Sequence, residues 1–232
     1  MKTLVTLALI CAWTLAAAAE TPTAVSSIRV TGASIVTANP DRARVDVGVV
    51  TQAPQSQVAV SQNARTFNAV MTSLHKTFAA ADIKTLTYTL TPDYQYHASG
   101  GAPTITGYTA SNVARVTIDD LVKIGDVIDV ATKAGANRVP NIQFTLRDEQ
   151  AVRSQAVREA AVKARAEADI LAAALGLKVN RILTVEEGGP VAVPVREVMF
   201  ARSEPMSAAT AIQPGSIEVS ANVTLTVEVS AR

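Results

Sequence analysis

Histidine, cysteine and neighbouring acids are where chemistry is first sought, and this chain of 232 residues holds two His and one Cys. One compact set has hydrolase-like parts: Asp93, His97 and Ser99. Acyl transfer needs the acid to orient the base, the base beside the nucleophile, and donors aimed at the oxyanion. All three residues fall in one Gly-rich stretch, 93–103 (DYQYHASGGAP). Such a tip preorganises little, so the expectation is a polar loop, no catalytic residue and no enzyme. Around the same stretch lie Tyr88, Tyr94, Tyr96 and Tyr108. Aromatic side chains with polar tips suit ligand contacts, which makes Tyr94, Tyr96, His97 and Tyr108 the candidate ligand-binding set. Cross-strand pairing within a hairpin is the plainer reading. Asp93 and His97 are too few to hold a metal, and no cofactor is expected.

A third set is apolar. The segment 187–215 is long and Pro-rich, and within 191–206 it carries Val195, Val198, Met199 and Phe200. Exposed apolar residues mark contact surfaces, so these four are the candidate oligomer interface. A short edge strand folding back on its own sheet is the alternative.

The elements that must position these residues follow from pattern. The first residues are an address: Met1-Lys2, an apolar run, then Ala16-Ala17-Ala18-Ala19. That is a secretory signal peptide, 1–19, cut after Ala19. Cys11, Trp13 and Lys2 leave with it, so residues 20–232 hold no cysteine and balance 20 basic against 20 acidic residues. Neutrality argues against nucleic acid, and the apolar run is too short for a membrane anchor. No integral span is expected after cleavage. A periplasmic location follows.

Strands read at 28–38 and 44–51, as a hairpin about Asn39-Pro40-Asp41, with Gly32 as a bulge or twist point. A helix opens at Pro54, its apolar stripe running Val60, Ala64, Phe67, Met71, Leu74, Phe78. Strands follow at 84–90 and 104–118. Asp119 reads as an N-cap, before a second helix stopped by Gly135. After a strand at 139–146, Asp148 starts the longest helix. Val152, Ala156, Ala160, Ala164, Ala168, Leu171 and Leu175 line its buried side. Strands at 178–186 and 216–229 close the chain. The order ββαββαβαββ defines an α+β fold, with helices on one face of a largely antiparallel sheet. It is read as one domain over 20–232, with its core at 28–230.

These stretches also form a family pattern. They include Val30-Thr31-Gly32, Pro40-Asp41-Arg42-Ala43, Ile105-Thr106-Gly107-Tyr108-Thr109-Ala110-Ser111, Gly135-Ala136-Asn137 and Pro214-Gly215-Ser216-Ile217-Glu218-Val219. In this order the chain resembles the SIMPL-domain family, which includes bacterial periplasmic immunogenic proteins. Its 55–63 stretch is more polar than the pattern. The resemblance implies an exported, non-enzymatic protein that self-assembles as a homo-oligomer, with peripheral envelope association and a link to envelope or oxidative stress. It brings no catalytic residue set. A periplasmic module binding a peptide or small ligand is the alternative function.

Overall fold

The computed structural model describes residues 25–98, 100–188 and 214–232. The elements run β1 (Ser27–Ala38), β2 (Arg42–Ala53), α1 (Ser56–Thr77), β3 (Asp82–Gln95) and β4 (Thr104–Ile118). A 3-10 turn (Leu121–Lys123) leads into α2 (Ile124–Lys133). Then come β5 (Arg138–Thr145), α3 (Glu149–Ala174), β6 (Leu177–Glu187) and β7 (Ile217–Ala231). The fold is α+β in the order read from the sequence, and the strand pairings are antiparallel.

The strands make two sheets rather than one, ordered β1-β7-β6 and β3-β4-β2-β5. β1 and β2 are therefore not a hairpin. Tight hairpin turns favour positive φ, whereas Pro40 holds φ at about −65°, and the chain crosses from one sheet to the other. β1 pairs with β7, and β2 lies between β4 and β5.

Each sheet carries its own core. Val30 of β1 and Val223, Leu225, Val227 and Val229 of β7 pack against Ala156, Ala160, Ala164, Ala168 and Ala172 of α3. Alanine at every fourth position leaves the helix backbone almost on the strands. A Cβ on Gly32 would lie 2.2 Å from the Ala160 carbonyl oxygen and 2.3 Å from the Ala164 nitrogen. Gly32 is thus not a bulge; the β1–β7 register is unbroken there, and the glycine admits the helix. Beside it the Ser34 hydroxyl donates to the Ala156 carbonyl at 2.6 Å. The buried stripe keeps its spacing of four and ends on Ala172, so Leu171 and Leu175 face solvent instead.

In the second sheet Val45, Val47 and Val49 of β2 and Ala114 and Val116 of β4 meet Phe67, Val70 and Leu74 of α1 and Ile124, Val127 and Ala131 of α2. The α1 face is turned slightly from the expected stripe: Ala59, Asn63, Phe67, Val70 and Leu74 are buried, and Ala64 is exposed. Asn63 substitutes for an apolar residue because its Nδ2 donates to the Val49 and Ala110 carbonyls at 2.8 and 3.0 Å.

Three termini also bear on the sequence reading. Asp148 caps α3, accepting from the Ala151 amide at 2.8 Å. Gly135 follows the α2 cap with φ of 112°. Asp119, expected to cap a helix, does not; Asp120 accepts from the Val122 amide and caps the 3-10 turn.

Candidate functional site

The hairpin of β3 and β4 is longer than its sequence suggests. Pairing continues through Tyr94–Ile105 and Gln95–Thr104, so much of the expected loop at 93–103 is strand. β2 reaches only to Ala53, opposite Tyr108. Beyond that point the hairpin stands as a two-stranded arm. From 94 to 114 it contains no Asp, Glu, Lys or Arg.

Register decides which side chains meet there. Leu90 lies opposite Ala110, Pro92 opposite Tyr108 and Tyr94 opposite Ile105. Ala110 faces α1, in a small cluster with Ala53 and Ala59, and Tyr108 packs against that cluster. Alternate residues of a strand share a face, so Tyr88 and Leu90, opposite Asn112 and Ala110, lie on that same side, and a register shift between Asp93 and Tyr94 interrupts the alternation before Tyr94. Tyr88, Leu90 and Tyr94 are 51, 40 and 49% exposed. Tyr88, Leu90 and Tyr108 thus form one aromatic shelf, with Tyr94 opposite Ile105 beyond the register shift. Tyr96 lies beyond the strand end and is 79% exposed.

Of the hydrolase-like residues, Asp93 and His97 each bond to other partners. Asp93 accepts from the Thr109 hydroxyl at 2.8 and 3.0 Å, and Gln52 donates to that hydroxyl. His97 Nε2 pairs with the Thr104 hydroxyl at 3.0 Å. Ser99 lies outside the described residues, as do Val195, Val198, Met199, Phe200 and the leader 1–19. A depression of about 280 Å³ at the start of α3 is lined by Gln150, Arg153, Ser154, Val157 and Glu187, and Arg153 is bonded to Glu187 at 2.6 Å. It is smaller than the roughly 300–1,000 Å³ of ordinary ligand sites.

The motifs singled out in the sequence have mechanical roles. Asn137 of Gly135-Ala136-Asn137 accepts from the Val50 amide and donates to the Val50 carbonyl, both at 2.8 Å, acting as an extra ladder rung beside β2. Gly107 of the β4 motif lies where a Cβ would come within 3.2 Å of the Ala53 carbonyl oxygen. In Pro40-Asp41-Arg42-Ala43, Asp41 Oδ1 accepts from the Arg147 amide at 2.7 Å, and Arg42 Nε donates to Asp119 Oδ1 at 2.7 Å.

Sequence reading missed the Asp46–Arg115 pair. These residues lie directly opposite on β2 and β4, and Arg115 grips Asp46 with both Nε and Nη2, at 2.7 and 2.8 Å. The hydrogen bond to Asp46 raises the Arg115 pKa above its ordinary value. Asp46 between Val45 and Val47, and Arg115 between Ala114 and Val116, were the available signal.

Two helix-backed antiparallel sheets, fastened by motif residues that bond to the backbone and to each other, define an α+β protein. The chain belongs to the SIMPL family: that family's model, described as "Protein of unknown function (DUF541)", matches residues 28–227. Two similar proteins, from Brucella melitensis biotype 1 and Brucella abortus, are each named "26 kDa periplasmic immunogenic protein". Each is 28% identical over 206 residues, covering 84% of this chain and 82% of the relative. No helix among the described residues is long and apolar enough to cross a membrane.

Proposed function

We propose that this is an exported, non-enzymatic protein of the cell envelope that works by self-assembly, in a structural or stress-protective role. The names of its relatives support the periplasmic location. The observation that carries assembly is a difference among the sheet edges of the described residues. Natural edges are guarded by charge, proline or bulges. β3 has Pro92 and two register shifts; β5 has Pro140. β6 has two shifts and Lys178, Arg181, Glu186 and Glu187. β1 pairs with β7 over its full length without a shift, and from Val30 to Ala38 it has neither charge nor proline. Its outer face shows Ile35, 64% exposed. Such an edge suits strand addition by a second copy.

The test is the native mass of the chain from Glu20, by light scattering on a sizing column. A discrete multiple of the monomer is expected, and Ile35→Lys should lower it. A monomeric wild type overturns the reading.

The aromatic shelf favours a second reading, a module binding an extended peptide or small ligand beside α1. A monomer that gains thermal stability with an envelope extract, and loses that gain in Tyr94→Ala, would support it.

A further inference from the structure

The chain crosses between its two sheets at two places. One is Asn39-Pro40-Asp41, between β1 and β2; the other is Leu146-Arg147-Asp148, between β5 and α3. The elements from β2 to β5 pack around one core and a small satellite cluster, and β1, α3, β6 and β7 pack around another core. The crossings run side by side. The Asp41 amide donates to the Thr145 carbonyl at 3.3 Å, and Asp41 Oδ1 accepts from the Arg147 amide. Next to them, one carboxylate takes Arg42, the β2 residue that follows the first crossing, and Arg147 of the second. Asp119, at the end of β4, holds Arg42 on Oδ1 at 2.7 Å and Arg147 on Oδ2 at 3.3 Å.

We propose that Asp41, Arg42, Asp119 and Arg147 form a latch across a two-strand hinge, fixing the orientation of the β2–β5 unit relative to the unit built on α3.

Three features argue for this role over simple stabilisation. The groups lie where the units join and not within either core. They are partly exposed, Arg147 at 59% and Asp119 at 42% of the side chain, and exposed ion pairs add little to global stability. A polar junction of this kind leaves relative motion as the default, and a hinge needs only a few connection residues to absorb it. The Arg42 hydrogen bond holds the Asp119 carboxyl below the usual carboxylate range. The latch charge is thus kept at neutral pH and lost only as pH falls through that depressed value. The β1 edge and the aromatic shelf lie on opposite sides of the hinge, so the latch sets the angle between the two exposed surfaces.

The test uses the chain from Glu20 to Arg232, which has no cysteine of its own. Spin labels on Asn68→Cys and Glu167→Cys report across the hinge; labels on Asn68→Cys and Thr89→Cys report within one unit. In the parent both distance distributions should be single and narrow. Asp119→Asn combined with Asp41→Ala should cost the cross-hinge distribution its single peak and leave the within-unit one unchanged. An unchanged cross-hinge distribution overturns the proposal, because something else then fixes the angle. Broadening of both also overturns it, because the cluster then supports the fold itself. Asp119→Asn alone, a surface change of equal size, provides the same reading if the double variant does not fold.

Discussion

A buried carboxylate is the residue on which this fold is most exposed to a single change. Asp46 is 4% exposed, on the face of the second sheet opposite the helices, and its charge is matched by the two-pronged contact from Arg115. Removing the arginine leaves that charge buried and unpaired. Arg115→Met should therefore destabilise by about 3 kcal/mol, measured by denaturant unfolding. Asp46→Leu with Arg115→Met should recover part of the loss, since the remaining pair of apolar side chains needs no counter-charge. A double variant as weak as the single one would show that the cost came from lost packing. Residues of this kind were hard to read in advance. In Arg44-Val45-Asp46-Val47 the alternation predicts Asp46 on a solvated face, and only the register with β4 reveals its partner. Asn63 was similarly hidden: it sits in the polar 55–63 stretch, and its burial depends on carbonyls of two strands distant in sequence. The Pro40–Ala43 motif was visible as a motif, but its work became legible only when Asp119 and Arg147 were placed beside it.

Among the elements, local periodicity was a good guide and long-range pairing was not. The three helices, the glycine stop of the second at Gly135 and the order of elements along the chain follow from spacing, because helix and strand periods are properties of adjacent residues. The β1–β2 hairpin failed because β1 finds its partner in β7, at the other end of the chain. That pairing also makes β7 a central strand, so among the described residues β1, and not β7, is the terminal strand at an edge. The alanine stripe was legible; the glycine that receives it reads from sequence as a bulge or twist point, and its role in admitting the helix appears only in the packing. The seam between α3 and β1 yields a sharp prediction. In Gly32→Ala the new methyl meets backbone atoms of Ala160 and Ala164, which cannot swing aside as a side chain would. The helix must lift from the sheet, at a cost of roughly 3 kcal/mol. Gly32→Ala should lower the denaturation midpoint with the slope unchanged, and a neutral effect would mean the seam is looser than its geometry indicates.

The whole molecule has an insertion topology. The first unit needs 27–38, 149–187 and 217–231, three separated pieces, whereas β2 to β5 form one continuous run from Arg42 to Thr145 with all their pairing partners inside it. The sequence reads as one domain because no Pro- or Gly-rich linker divides it; the connections at 39–41 and 146–148 are only three residues each and are tied to each other. Short connections hide a boundary in composition that packing displays, since the two hydrophobic clusters share no residue. A unit of roughly 100 residues can bury enough surface to fold alone. The excised Arg42–Thr145 fragment should therefore show one cooperative thermal transition, with a calorimetric enthalpy of about 60–80 kcal/mol. It keeps the Arg42–Asp119 bond and gives up the Arg147 contact and the Asp41 amide bond to Thr145, so its loss of stability relative to the full chain should be small. A fragment that melts without cooperativity would mean the second core borrows its stability from the first. The two units would then be a single folding unit despite their separate cores.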